Sequence, residues 1–560
     1  MKKYIFKKAL FFCLALTGIF FSGQCFSQWV TNPAINTPIS IQPFDQQDLH
    51  IVSDGDNGAI IVWQDFRNDA SQNVSDVFAQ RIDRNGYTRW TVNGLAICTN
   101  AADQGGPVIV SDGNYGAIIS WVDMRNGNRD IYAQRVDSSG NTLWATNGVP
   151  VAVKPGTQQD VYLISDGANG AILAWQDSAA GAWDIYAQHL DGSGNATWAT
   201  GGIAVCSAPL YQINPKMAED GLGGALVTWQ DFRNSNDYNI YAQRVNASGT
   251  ALWATNGVGV CLSGGTQTNP KIRAGANTMS MIAWQDKRFG NDFDVYSQAL
   301  DSMGAAQWTA NGVIVCNATG NQSALDIATD AIQGIIIVWK DERSGAIDIY
   351  AQRLNSSGVA QWTSGGIAVA SGSAPQINPN IVGDGLGGGI IVWQDSTSGS
   401  WDVKAQRLDA SGANQWTANG VAVGTATGYQ TSPKNVSDGQ GGSIFAWQDK
   451  RSGNFDIYAH HLFSDGNPVG VEEAEIFSDA TIVPNPFSQS AIIHSNRLIN
   501  KNIVLKILDL SGKVVLYKNC GNESNITINR EQLENGIYFY ELIDEKNSVP
   551  VSKGKMIIAN

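Results

Sequence analysis

Charge is scarce in this chain. Asp, Glu, Lys and Arg make up 15% of its 560 residues, and the basic ones are the scarcer, 36 against 50 acidic, for a net charge of −14. The first 27 residues carry four lysines and no acid, and residues 481–560 are slightly basic, so the negative charge falls on the stretch between them. Nucleic acid is excluded as a partner, because phosphates need a basic surface. An anionic lipid surface is excluded as the main partner for the same reason. Histidine is scarcer still: His50, His189, His460, His461 and His494 are scattered, and adjacent residues such as His460 and His461 point to opposite faces of a strand. No metal site and no cofactor site is expected from them. Beyond residue 21 there is no apolar run long enough to cross a membrane.

The chain opens on basic charge alone. Lys2, Lys3, Lys7 and Lys8 precede an apolar run from Ala9 to about Phe21, the pattern of a signal peptide, with cleavage expected after Ser27. The competing lipoprotein reading needs Cys25 as anchor, and Gln24 before it fits that poorly. Five cysteines then remain: Cys98, Cys206, Cys261, Cys316 and Cys520.

Glycine and tryptophan, by contrast, are abundant, at 60 and 18 residues. The tryptophans repeat. Trp63, Trp121, Trp175, Trp229, Trp284, Trp339, Trp393 and Trp447 recur every 54–58 residues, mostly in the tripeptide WQD. A second series, Trp90, Trp144, Trp198, Trp253, Trp308, Trp362 and Trp416, lies between them. Each repeat reads as four strands separated by Gly, Asp, Asn and Ser clusters. The fourth strand is expected to carry the second tryptophan. Eight such repeats predict an all-β, eight-bladed β-propeller over residues 28–468; a solenoid is the competing architecture. The eighth repeat stops after Asp456–Leu462, and Trp29-Val30-Thr31 follows directly on Gln28, the expected first residue after cleavage. The segment from Trp29 to about Ile35 is therefore expected to complete the last blade and to remove an open sheet edge.

Residues present in every repeat serve what all blades share. The aspartates ending the second strand, from Asp65 to Asp449, and the glutamines Gln46, Gln104, Gln158, Gln212, Gln267, Gln322, Gln376 and Gln430 read as scaffold hydrogen bonding. The SDG-x-GG segments read as hairpin turns rather than calcium loops, since they lack spaced carboxylates and a terminal Glu. Cys98, Cys206, Cys261 and Cys316 occupy a slot that elsewhere holds Ser40, Ala152, Ala370 and Gly424, which calls for a small residue and not for disulfides.

A site needs asymmetry, and the loops after WQD vary. Arg67, Arg125, Arg233, Arg288, Arg343 and Arg451 follow the aspartate by two residues; blades three and seven have Ala179 and Thr397 instead, and bring Trp183 and Trp401 before the third strand. These arginines and tryptophans are the candidate binding residues for sugar or peptide, the tryptophans covering what an arginine covers elsewhere. The competing reading is Asp–Arg pairing between blades.

Composition changes after Pro468. Residues 469–480 form an acidic linker with Glu472, Glu473 and Glu475. Residues 481–560 alternate as strands, with turns at Ser511-Gly512 and Asn535-Gly536, and predict a small β-sandwich. Pro484-Asn485-Pro486-Phe487, Asp509 with Gly512-Lys513, Asn535-Gly536 with Tyr538, and Gly554-Lys555 stand in the order and spacing of a family pattern. The segment resembles the type A C-terminal sorting domain of type IX secretion substrates. The resemblance implies a partner in the type IX machinery, passage across the outer membrane, and release or surface attachment. The propeller has a weaker likeness: Asp137-Ser138-Ser139-Gly140 with Trp144 is similar to the tryptophan-docking pattern of quinoprotein propellers, one residue shorter, and nothing matches their cofactor site. That likeness is architectural.

The expectation is a monomeric, secreted or surface-attached propeller that binds extracellular glycan or protein. Two alternatives stand beside it: a polysaccharide-acting glycosidase or lyase, and a structural surface protein without a discrete ligand. No catalytic residue can be singled out among so many repeated aspartates.

Overall fold

The computed structural model describes residues 29–275, 279–469, 480–494, 502–509, 513–523, 525–530, 533–544 and 549–559. The expected leader (1–27), most of the linker and Gly512 of the tail motif lie outside them. The chain divides into two compact units, 1–470 and 471–560.

The first unit is a β-propeller of eight four-stranded antiparallel sheets. Blade one comprises Gln46–Ser53, Ala59–Asp65, Asp76–Ile82 and Leu95–Cys98, and six further blades repeat this order. Each inner strand packs on the next, and Gln46–Ser53 packs on Gln430–Ser437 of blade eight, so the ring is closed. The second and third strands are sandwiched between neighbouring blades. That is why they read as near-continuous apolar runs, such as AIIVWQD, and why almost every residue in them is buried.

The hydrophobic cores lie between blades, and each takes one tryptophan from each series. Trp90 meets Trp121, Trp144 meets Trp175, and so on around the ring to Trp416 with Trp447. The second-series tryptophan is not on the fourth strand, as the sequence suggests, but in the turn before it. Its indole N–H reaches across to a carbonyl in the next blade's turn, as in Trp90 to Ser138 O (3.1 Å) and Trp253 to Ser302 O (2.9 Å). A third-strand glutamine holds it there: Gln80 Oε1 accepts from Trp90 N at 2.9 Å. The Asn-Gly that follows then turns the chain under the WQD ring. A Cβ on Gly148 would lie 2.5 Å from Trp121, and its φ is +86°.

Closure confirms the shared blade and shifts its boundary. Thr37–Ser40, not Trp29–Ile35, pairs with Ile457–Ala459 as the fourth strand of blade eight. Trp29 supplies the missing eighth tryptophan of the second series. It is buried against Trp63, and its indole donates to Arg84 O at 2.9 Å.

The second unit has a three-stranded sheet (Thr481–Val483, Ser490–His494, Asn525–Asn529) and a four-stranded one (Ile503–Leu508, Val514–Gly521, Gly536–Asp544, Val549–Ile558). Ile493, Leu505, Ile526, Leu542, Met556 and Ile558 share their core.

Candidate functional site

The six arginines after WQD form one repeated lattice. Each guanidinium forks onto its own strand's aspartate, Nε to Oδ1 at 2.8–3.0 Å and Nη2 to Oδ2 at 2.5–2.6 Å, as in Arg233 with Asp231. The same aspartate accepts the WQD indole: Trp229 Nε1 to Asp231 Oδ2 is 2.8 Å. Each guanidinium also lies 3.8–4.0 Å over an aromatic ring of the third strand, Phe78, Tyr132, Tyr241, Tyr296, Tyr350 or Tyr458. Arg67, Arg125, Arg233 and Arg288 donate further to the asparagine carbonyl of the Asn-Gly turn, and Arg343 to Gly365 O of the Gly-Gly turn in its place, all at 2.8 Å.

The cysteine slot belongs to this lattice. Arg125, Arg233, Arg288 and Arg343 Nη2 lie 3.3, 3.2, 3.1 and 2.9 Å from the sulfurs of Cys98, Cys206, Cys261 and Cys316. Arg67 finds Ser40 Oγ instead, at 3.0 Å. Burial pushes these thiols up to about 11–12, so they stay protonated and unreactive. Ala152 and Ala370 precede blades three and seven, which lack the arginine and need no acceptor. There the positive charge comes from another direction. Lys154 Nζ lies 3.4 Å from Asp177 and 3.8 Å over Tyr186; Lys404 Nζ lies 3.1 Å from Asp395. The lysines, rather than Trp183 and Trp401, thus stand in for the arginine's charge. Those tryptophans are half-buried, and their carbonyls accept from Gln212 N and Gln430 N, both at 2.7 Å.

The histidines follow the same logic. His189 and His461 face Asp166 and Asp438 at 2.8 and 2.9 Å, where other blades pair an arginine such as Arg81 with Asp54. The turn aspartates also cap their own hairpins, Asp54 Oδ1 accepting from Asp56 N and Gly58 N. Among the described residues no cluster of His, Cys, Asp and Glu could hold a metal.

Asymmetry appears on the axis instead. Every inner strand breaks register after its second residue, and the third residue takes a left-handed conformation, with φ of 50–59°. Asp48, Gly106, Asp160, Asn214, Asn269 and Asn378 are among them, the residue types that tolerate it. The fourth residue sits off the ladder and is often proline, which an inner edge strand accepts. The fifth residue lines the axial channel: His50, Val108, Tyr162, Lys216, Lys271, Asp326, Asn380 and Lys434 in blade order. One chamber of about 480 Å³ is bounded by Lys216, Lys271, Lys434 and Asp326 with a fringe of Asn214, Asn269 and Asn378. A second, of about 550 Å³, runs to Asp103, Met124 and Arg129 among the variable loops.

These side chains set one another's charge. Lys271 lies 3.7 Å from Asp326, whose other oxygen accepts from Asn380 Nδ2 at 2.5 Å and from Ile381 N at 3.2 Å. Burial opposes ionisation of Asp326, but Lys271, Arg273 and Lys434 outweigh it and hold its carboxyl below the ordinary range. Desolvation, with Lys271 nearby, depresses Lys216 to about 8. It also lowers Lys434, against the pull of Asp326. Desolvation and the three lysines push His50 down to about 3, so it is neutral. Among the described residues neither Lys216 nor Lys434 has a carboxylate within 4.0 Å. Lys216 Nζ donates to Asn214 Oδ1 (2.7 Å) and Pro215 O (3.1 Å) and lies 5.5 Å from the Tyr162 ring.

Sequence reading missed this ring because it sought variation in loops. The signal was there in Asn214-Pro215-Lys216, Asn269-Pro270-Lys271 and Ser432-Pro433-Lys434, with Ala324-Leu325-Asp326 breaking the series.

In the tail, the motif residues tie the chain end to the sandwich. Asn485 Oδ1 accepts from Ile557 N at 2.8 Å, and buried Phe487 exchanges backbone bonds with Ile557 and Ala559. Asp509 Oδ1 accepts from Lys513 N at 3.1 Å, and Gly554 lies where a Cβ would sit 2.5 Å from Tyr540. The Tyr538 hydroxyl donates to Glu534 O at 3.1 Å. Residues 481–559 match the family described as the secretion system C-terminal sorting domain. The protein is exported. Its type IX sorting domain takes it to the cell surface or the exterior, and no helix among the described residues is long and apolar enough to cross a membrane.

No curated protein matches the chain in sequence. Among solved structures, it is similar to the GH93 α-L-arabinofuranosidase of Fusarium graminearum in complex with arabinobiose (13% identity, 56% of this chain, 97% of that one, TM-score 0.34). The polysaccharide lyase Uly1 gives 11%, 64%, 90% and 0.40. A puromycin-hydrolyzing peptidase of Mycobacterium tuberculosis gives 10%, 76%, 61% and 0.40. Likenesses this distant leave the choice of activity to the chain's own residues.

Proposed function

We propose that the exported propeller is an extracellular binding module for glycan or protein, with the axial channel as its site. One observation carries this. The repeated arginines, aspartates, glutamines and tryptophans are engaged within and between blades, whereas the fifth residues of the inner strands differ from blade to blade around a cavity large enough for a ligand. Arg129, in the loop slot that Trp183 and Trp401 fill in their blades, walls the second chamber, so these loop residues are candidates for the rim.

An enzyme acting on polysaccharide is the second reading, because Asp48, Asp160, Asp326 and His50 are acid–base groups outside the repeat pattern. Binding is favoured over it on two grounds. Asp326 is already committed to Lys271, Asn380 and Ile381, and His50 holds no proton to donate near neutral pH.

The test is the mature chain, residues 28–560, screened on glycan and protein arrays beside an Asn380→Trp variant that narrows the channel. Retention of a ligand by the native chain, its loss in the variant, and recovery of the ligand unchanged are expected. A ligand retained equally by both overturns the channel as the site, and cleavage of the ligand establishes the enzyme.

A further inference from the structure

We infer that the axial channel recognises a carboxylate-bearing sugar, a uronic acid residue of an extracellular glycan. This rests on the channel being the binding site. On an acidic protein one chamber of the channel is unexpectedly cationic: Lys216, Lys271 and Lys434 line it together, and Asp326 is the one carboxylate among its lining residues. Asp326 is satisfied by Lys271, the Asn380 amide and the Ile381 N–H. Lys216 and Lys434 stand across the ring from each other, in blades four and eight, without a carboxylate partner among the described residues. Both ammonium groups are desolvated and both are repelled by Lys271, while Asp160 near Lys216 and Asp326 and Asp48 near Lys434 attract them only from beyond ion-pair distance. An anion in this chamber would supply a direct partner to an ammonium group that has none within 4.0 Å, and a charge-assisted hydrogen bond is the strong kind.

The surroundings choose the kind of anion. Asn214, Asn269 and Asn378 line the same chamber; the Asn269 and Asn378 amides each donate to a glutamine, Gln285 and Gln394, which leaves a second N–H on each for a sugar hydroxyl. The Tyr162 ring lies beside Lys216 and offers a flat apolar face to a pyranose. A bare inorganic anion would use the lysines and make no contact with the ring. An acidic peptide would bring repeated negative charge past Asp48 and Asp160 at the second chamber, where a sugar with one carboxylate per residue brings less.

The test is calorimetric titration of residues 28–560 with an oligogalacturonate, a neutral galacto-oligosaccharide of the same length, inorganic sulfate and a glutamate-rich peptide. The expected result is tightest binding of the oligogalacturonate, weakened about tenfold or more in Lys434→Met and in Lys216→Met, the factor equivalent to about 1.4 kcal/mol. Both variants keep the aliphatic stem and remove a desolvated charge, so their melting temperatures should equal or exceed that of the native chain; Lys434→Gln serves if methionine disturbs folding. Equal binding of the neutral oligosaccharide, lost in Asn380→Trp, overturns the uronate and leaves the channel as the site. Tighter binding of the peptide or of sulfate also overturns it. Binding of none of the four overturns the uronate, and the array screen then decides the channel separately.

Discussion

Asp184 begins a third strand directly across the sheet from Asp177, and Asp294 stands in the same relation to Asp286. Burial, reinforced by the facing carboxylate, pushes both up to about 6 from an ordinary 3.8. The folded chain therefore holds these protons more tightly than the unfolded chain. Their stabilising contribution is complete below about pH 4 and is lost as the pH rises through about 6. Blade four has Asn239 at this position, opposite Asp231, and forms the same sheet. Asp184→Asn and Asp294→Asn should therefore raise the melting temperature at pH 7.5 and leave it nearly unchanged at pH 4. Thermal melts at the two pH values check this; a lower melting temperature at pH 7.5 would show that the charged carboxylate is needed by a partner. The pairing itself was not legible from one repeat, because it is a matter of register. What was legible was that a residue present in every blade serves the scaffold. The cysteine slot was half read: smallness is visible in Ser40, Ala152 and Gly424, but the acceptor that Cys98 offers Arg125 emerges only in the structure, and before blade eight, where the slot holds Gly424, Arg451 turns to Asn36 Oδ1 at 3.0 Å.

At the scale of elements, the N-terminal segment holds the ring by two separate attachments. Thr37–Ser40 gives blade eight its outer strand, and Trp29 fills the core between blades eight and one. Buried His460 stands in for the third-strand glutamine there. Burial lowers it to about 4, so it stays neutral near pH 7. The truncated eighth repeat told that a strand must come from the N-terminus. It did not tell which residues, because the tryptophan was assigned to the fourth strand, whereas the indole has to leave its own sheet to reach the next blade's turn. Trp29→Ala removes a fully buried ring and should destabilise the propeller by about 3–5 kcal/mol, the range for such truncations in a packed core. Denaturant unfolding of the mature chain measures this. A variant as stable as the native chain would mean that the strand Thr37–Ser40 closes the ring without help from the tryptophan.

At the scale of the whole molecule, the two units answer different demands, and the sequence marks them by different means. The propeller is built by repetition, so its residues can be interpreted against seven other copies. Its site eluded that comparison because the deviation lies on the inner strands, next to prolines that looked like turn residues. The sorting domain has no internal repeat, and its assignment rests on Pro484–Phe487, Asn535-Gly536 and Gly554-Lys555 with the family match over 481–559. Its core is drawn from Phe487 to Ile558, with Ala480 and Ile482 packed against it, and the propeller's eight cores are drawn from Trp29 to Leu462, with Val469 packed against one of them. Among the described residues each core is made from residues of its own unit. Removing residues 481–560 should therefore leave the propeller's thermal transition unchanged while abolishing export. In a host with type IX secretion the truncated chain should collect in the periplasm, as fractionation and immunoblotting would show. Arrival of the truncated chain in the medium at the native level would mean that the propeller carries its own export determinant. A lowered melting temperature would mean that the tail supports the ring as well as directing it outward.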